Sequence, residues 1–244
     1  MKQVDLLGIP FLYTNLQQFV SLLDKRIQQK EKTFVVTANP EMVILARDDA
    51  AFMNVIHQAT YITADGIGIV KAAGLLKNPL PERVTGYDTM LQLLTLANEK
   101  HYNVFLLGAH ENVLQTVKTK IEINYPGIRI VGAHNGYFNW EDNNIAESIK
   151  SAKPDITFVA LGVPRQEKWI AENLHSFKHG VFIGVGGSFD VIAGTVKRAP
   201  AFWQKLNLEW FYRLLKQPSR WRRMLALPRF VLYIVKQKMK GPSS

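Results

Sequence analysis

Asp65 is the residue of this chain whose surroundings most suggest chemistry. It stands between a short apolar run, Tyr61-Ile62-Thr63, and a glycine-flanked turn, Gly66-Ile67-Gly68, that opens a helical pattern. A carboxylate held there on a rigid element can face a cleft and, when ionised, accept a proton from a hydroxyl. Capping the following helix is the other common use of an aspartate in such a place. Three further turns are chemically loaded in a similar way: Thr37-Ala38-Asn39-Pro40-Glu41, Gly162-Val163-Pro164-Arg165-Gln166-Glu167 and Gly184-Val185-Gly186-Gly187-Ser188-Phe189-Asp190.

Other chemistries find little support. The glycine run Gly184–Asp190 misses the last position of G-x-G-x-x-G, which is Phe189, and it comes late in the chain; dinucleotide binding is not indicated. There is no G-x-x-x-x-G-K-[ST] loop, and Ser188 does not lie in G-x-S-x-G. His175 and His179 lack the partners of a zinc site and read as surface histidines at a helix end. No Asp-x-Asp pair exists to hold a divalent cation, and Asp48-Asp49 would diverge on a helix. With no cysteine, thiolate catalysis and disulfides are excluded.

The elements that must carry these turns are legible from hydrophobic patterning. Thr33–Thr37, Val104–Gly108, Ile128–Gly132, Ile156–Leu161 and Val181–Val185 read as strands, separated by helices that include Glu111–Asn124 and a stretch near Glu141–Ala152. Asn39 is a suitable N-cap with Pro40 at the first helical position. Strands without polar alternation belong to a parallel sheet covered on both faces. The expected fold is α/β, a Rossmann-like doubly wound, mostly parallel sheet that binds ligands beyond the carboxyl ends of its strands.

A composition shift follows Gly194. The last forty-nine residues, Val196–Ser244, contain twelve of the thirty Lys and Arg residues but only one of the twenty acidic ones, Glu209. Residues 1–195 therefore carry eighteen basic against nineteen acidic groups, and the formal charge of +10 belongs to the tail. Basic groups interleaved with Phe202, Trp203, Trp210, Phe211, Tyr212, Trp221, Phe230 and Tyr233 point to an anionic, partly apolar partner. The aliphatic content of the tail favours an anionic membrane surface over nucleic acid. The expected organisation is a core over residues 1–195 and a basic, amphipathic helical appendage over 196–244. Pro218 and Pro228 are expected to divide that appendage into helices of about ten residues. No stretch approaches the ~20 apolar residues of a membrane span, and no signal peptide is visible. The expected location is cytoplasmic, peripherally attached to the inner face of the membrane. An apolar tail is also compatible with a monomer–dimer equilibrium.

Five motifs, taken together, resemble the WecG/TagA/CpsF glycosyltransferases. They are Thr37–Glu41, Ala64–Gly68, Arg83-Val84-Thr85-Gly86-Tyr87-Asp88, the P-x-Q-E-x-W within Gly162–Trp169, and Gly186-Gly187-x-Phe189-Asp190 followed by Arg198-Ala199-Pro200. The resemblance spans nearly the whole chain and is closest to the TagA-like N-acetylmannosaminyltransferases of wall teichoic acid synthesis. It implies inverting transfer of N-acetylmannosamine from UDP-ManNAc to C4 of the GlcNAc in undecaprenyl-diphosphate-GlcNAc, without cofactor or metal. A different donor, UDP-ManNAcA or a UDP-hexose, is the alternative within the family; a non-catalytic, membrane-recruited UDP-sugar-binding scaffold is another. The resemblance makes Asp65 the general base and places Thr37, Asn39, Arg83 and Gln166 in the substrate pocket. It also assigns Arg213, Arg220 and Arg223 of the appendage to stabilising the diphosphate. Their spacing would put Arg213, Lys216, Arg220 and Arg223 on one side of a helix if Pro218 did not interrupt it. Each pocket residue has a plainer use as well: Asn39 as a helix cap, Arg83 in a surface ion pair, Gln166 as a solvated helical residue.

Overall fold

The computed structural model describes residues 1–140, 144–206, 208–216, 218 and 221–240, without the side chains of Ala201, Lys205, Arg213, Arg222 and Lys240. Two short antiparallel strands, β1 (Gln3–Leu6) and β2 (Ile9–Leu12), open the chain. Leu7 and Gly8 join them, both at positive φ (57° and 87°). Then come α1 (Leu16–Gln28), β3 (Lys32–Ala38), α2 (Pro40–Asp48), α3 (Ala50–His57), β4 (Tyr61–Ala64), α4 (Ile67–Leu75) and α5 (Gly86–Lys100). β5 (Asn103–Gly108), α6 (Glu111–Asn124), β6 (Arg129–His134), α7 (Asn144–Ala152), β7 (Ile156–Ala160), α8 (Arg165–Asn173), β8 (Gly180–Gly184) and α9 (Ser188–Ala193) complete the sheet-forming part. The basic tail forms α10 (Ala201–Lys205), α11 (Glu209–Lys216), α12 (Trp221–Met224) and α13 (Ala226–Lys240).

Six strands make one sheet in the order β4-β3-β8-β7-β5-β6, and every neighbouring pair is parallel. Successive strand residues point to opposite faces, and both faces are buried. Phe34, Val36, Phe105, Leu107 and Phe182 enter one apolar layer, whereas Val35, Val104, Leu106, Phe158 and Ile183 enter the other. That is why these strands read as continuous apolar runs. The chain leaves β5 toward β6 but leaves β7 toward β8, in opposite directions, and this reversal opens a crevice at the carboxyl ends of the central strands.

The sequence reading assigns no element to the first thirty residues or to residues 85–100. Structure supplies the β1–β2 hairpin, α1 with a reciprocal Asn15–Gln18 capping box, and α5 capped by Thr85. Two tail expectations need correction. Pro228 does not end a helix; it is the third residue of α13, in the first turn, where no intrahelical amide is lost. Nor do Lys216 and Arg223 share a helix, because α11 ends at Lys216 and α12 begins at Trp221.

The last helix, α13, packs on α2 and α4 and inserts Phe230 and Ile234 into the first apolar layer, 3% and 1% exposed. Removing the tail would therefore uncover part of the core as well as take away basic charge. Phe230→Ala should lower unfolding free energy by about 3–5 kcal/mol, as for other buried aromatics. Val231→Ser, at an exposed site one residue on, should change it by less than about 0.5 kcal/mol. Denaturant unfolding of both variants tests the docking of α13; equal effects would refute it.

Candidate functional site

β3 and β4 run in register, with Ala38 opposite Ala64, so Asn39 and Asp65 emerge side by side at the carboxyl edge of the sheet. The Asp65 amide donates to the Ala38 carbonyl at 2.9 Å. Beyond β4, the segment before α5 lies along the strand end. The Val84 amide donates to the Ala64 carbonyl (3.0 Å), and the Thr63 hydroxyl donates to the Val84 carbonyl (3.2 Å). These bonds bring Arg83 and the start of α5 beside Asp65.

The first amide of α5, that of Gly86, donates to Asp65 Oδ2 at 3.2 Å. Asp65 thus rests on the positive end of a fifteen-residue helix, where a negative charge is stabilised. It does not cap the helix that follows it: the N-cap of α4 is Gly66, with no side-chain cap bond. Glycine at position 86 permits the approach, because a Cβ there would lie 2.9 Å from Thr37 Oγ1. Thr37, nearly buried, donates its hydroxyl to the Gly184 carbonyl at 3.2 Å and so ties β3 to the end of β8. Asn39 caps α2 through Oδ1, which accepts from the Met42 amide at 3.0 Å; its amide nitrogen is the group it can offer a ligand.

Gln166 is not a solvated helical residue. Only 2% exposed in the first turn of α8, it bridges two of the loaded turns. Its Oε1 accepts from the Gly186 amide at 3.0 Å, and its Nε2 donates to Glu167 Oε1 at 2.7 Å. A Cβ at position 184 would fall 2.5 Å from that Nε2, so the glycine ending β8 makes room for the amide. Glu167 itself is 1% exposed, and its Oε2 is buried with no hydrogen-bond partner. Burial pushes its carboxyl up to about 7, although the Gln166 hydrogen bond pulls the other way. Nothing in the sequence pattern reveals this buried acid; a Glu in the first turn of a helix is ordinarily solvated.

Arg83 and the appendage meet directly. Arg83 Nη1 lies 3.2 Å from Glu209 Oε2, with both side chains largely shielded from solvent. The single acidic residue of the tail is therefore held against a candidate pocket cation. On the other side of Asn39, Arg223 Nε donates to Glu41 Oε1, and Arg229 forms a two-pronged pair with Asp48 at 2.9 Å. Arg223 thus reaches the rim of the site but is engaged by a carboxylate there. Arg213 belongs to α11 with its side chain undescribed, and Arg220 lies outside the described residues.

Beyond β5 and β6 stands a feature the sequence reading passes over. Tyr137, 65% exposed, lies against His110 with ring centroids 4.4 Å apart, the planes tilted by 31°, and its hydroxyl 2.6 Å from His110 Nε2. Among the described residues no three His, Asp or Glu side chains converge as a metal site. His175 is exposed in a short 3-10 turn, whereas His179 is half-buried just ahead of β8 rather than on a helix end.

Glu167 generates a pH prediction. Its ordinary value is 4.5 and its folded value is raised, so the stability it contributes is complete below about 4.5 and is lost as pH rises through about 7. Melts of the wild type should therefore show a decline across that window, with a contribution of a few kcal/mol at about 1.4 kcal/mol per unit. Glu167→Gln, which cannot ionise, should remove that decline and melt higher than wild type at pH 8. Parallel melting curves would contradict the buried-acid assignment.

Comparison with known proteins follows the same outline. The chain matches the Glycosyl transferase WecG/TagA/CpsF family over residues 4–244. It is 42% identical over 239 residues to the N-acetylglucosaminyldiphosphoundecaprenol N-acetyl-beta-D-mannosaminyltransferase of Bacillus subtilis, covering 98% of this chain and 93% of the relative. The enzyme of the same name from Staphylococcus aureus strain MW2 is 41% identical over 240 residues, covering 98% and 94%. A six-stranded parallel sheet with a carboxylate seated on the α5 N-terminus, and similarity running from end to end, lead to one statement: this chain belongs to the WecG/TagA/CpsF glycosyltransferase family.

Proposed function

We propose that this protein transfers N-acetylmannosamine from UDP-ManNAc to the C4 hydroxyl of undecaprenyl-diphosphate-GlcNAc, forming a β-1,4 linkage with inversion, in teichoic acid biosynthesis. The observation that carries the reading is the end-to-end similarity to enzymes bearing that activity in their names. The carboxylate geometry supplies the matching chemistry. Asp65 takes the proton of the acceptor hydroxyl, and the oxygen attacks the anomeric carbon. The bond from that carbon to the donor phosphate oxygen breaks, and UDP leaves with the electron pair. The Gly86 amide aims Asp65 before substrate arrives, at a helix end where a negative charge is favoured. Asn39 offers its amide nitrogen to the sugar, while Thr37 and Gln166 fix the strand ends and turns that shape the pocket.

Charge builds on the departing diphosphate, and fixed cations must meet it. Arg83 stands at the edge of the site, and Arg223 at its rim. Both are paired with carboxylates, Glu209 and Glu41, so a diphosphate gains them by exchange with those partners. Arg213 and Arg220 are proposed to join them from the appendage. No metal ion is assigned a role.

The appendage is also proposed to attach the protein to an anionic membrane surface, where the lipid-linked acceptor resides. No described helix is long and apolar enough to cross a membrane. Phe202, Leu206, Trp221, Leu225, Val231, Leu232 and Met239 are all more than half exposed along the tail. Apolar side chains beside Lys and Arg suit insertion into a lipid headgroup layer, each cation adding about 1 kcal/mol near the surface.

Asp65→Asn should lower turnover of UDP-ManNAc and a polyprenyl-diphosphate-GlcNAc acceptor by about 10²- to 10⁴-fold, the usual worth of a general base, with an unchanged melting temperature. EDTA should leave the wild-type rate unaltered. A near-normal rate for D65N would remove Asp65 from the chemistry, and a rate abolished by EDTA and restored by a divalent cation would overturn metal-free transfer.

A further inference from the structure

Thr85, Tyr87 and Asp88, which surround Gly86 in one motif, and Arg198, which opens another, have side chains with no part in the chemistry above. Distant in sequence, they meet in the fold. Arg198 Nη2 lies 2.8 Å from Asp88 Oδ1, and its guanidinium covers the Tyr87 ring at 4.7 Å. The other oxygen of Asp88, Oδ2, accepts from the Thr85 hydroxyl at 2.7 Å, and Thr85 Oγ1 in turn accepts from the Asp88 amide at 3.0 Å. Thr85 is the N-cap of α5, and the very next amide is the one that donates to Asp65.

We infer that Arg198 and Asp88 are positioning residues for Asp65, acting through the first turn of α5. The inference rests on the proposed role of Asp65 as base. Two effects follow from the geometry. Mechanically, Arg198 fixes Asp88, Asp88 fixes the Thr85 rotamer, and the capped turn holds the Gly86 N–H toward Asp65. Electrostatically, Asp88 is a second carboxylate at the same helix end. Left unbalanced, it would repel the Asp65 charge and compete for the positive end of the helix. Arg198 neutralises the carboxylate that does no chemistry and leaves that field to the one that does.

Among the described ion pairs, Arg83 meets Glu209, Glu41 meets Arg223, and Asp88 meets Arg198 alone; Lys100, at the far end of α5, pairs with Asp24, and Lys71 lies on α4. Removing Arg198 would therefore leave Asp88 as an unbalanced charge at this helix end. Arg198 also stands where the chain passes from α9 into the basic tail, next to buried Ala199, whose carbonyl accepts from the Gln204 side chain. The path that carries the appendage away from the core is thus the same path that steadies the base.

The test compares pH–rate profiles of the full chain with UDP-ManNAc and the lipid-linked acceptor. In Arg198→Gln the acidic limb of kcat should move up by about one pH unit, which is about tenfold in rate below the limb, while KM for the donor stays put. In the double variant Asp88→Asn/Arg198→Gln, where the charge is balanced again and Asn can still bond Thr85, the limb should return close to wild type. Arg198→Lys, which keeps the charge, should leave it in place. A structural role alone would depress all three variants together with their melting temperatures and move no limb. An unmoved limb in R198Q, or no recovery in the double variant, overturns the inference. If R198Q fails to fold, Asp88→Asn with Arg198 intact decides: the unbalanced cation should move the limb down, and an unmoved limb sinks the inference. Asp65→Asn is assayed alongside. An inactive D65N with an unmoved R198Q limb defeats only the positioning role, whereas an active D65N defeats the base assignment and this role together.

Discussion

A carboxylate at the end of β4 accepts a hydrogen bond from the first amide of α5, and much of the surrounding structure serves to keep those two groups together. The sheet supplies one side of the contact: register between β3 and β4 sets where Asp65 leaves the strand. The segment Arg83–Thr85 supplies the other by lying along β4 through Val84 and Thr63. Glycine at 86 lets the helix come down onto Thr37 without a Cβ in the way. A buried or half-buried charge is tolerated only when donors are already aimed at it, and here the donor belongs to a helix whose dipole adds to it.

A second constraint is the joining of turns at the carboxyl edge. Gln166 ties the turn after β7 to the turn after β8, and Thr37 ties β3 to the end of β8. These side chains join the turns largely by bonding to main chain, which explains why they are so little exposed. The cost of that arrangement is Glu167, an acid buried behind Gln166 with one oxygen unbonded. Its raised ionisation range makes the protonated form the comfortable one inside the fold.

The tail has more than one relation to the rest of the molecule. Phe230 and Ile234 belong to the core, whereas Glu209, Arg223 and Arg229 make ion pairs around its rim. Two of those pairs engage Arg83 and Glu41, which flank the site. A surface of basic and apolar groups remains outward. One segment thus combines packing, pocket electrostatics and an outward face suited to an anionic surface.

Much of this was legible in the sequence because it depends on neighbours in the chain. Both-sided burial leaves uninterrupted apolar strands, so β3, β5, β7 and β8 and the doubly wound class could be read from pattern. Asn39-Pro40 announced the start of α2, whereas α5, capped by Thr85, was read only as part of a motif and not as a helix. What the sequence could not decide were the pairings between distant segments: Asp65 with Gly86, Gln166 with Gly186, Arg83 with Glu209, Arg198 with Asp88. Nor could it decide that Glu167 would be buried or that Arg223 would meet Glu41. Local propensity and periodicity are properties of a few consecutive residues. Hydrogen-bond partners and desolvation are set by which strand lies beside which, and that is decided only when the sheet assembles and α13 packs on α2 and α4.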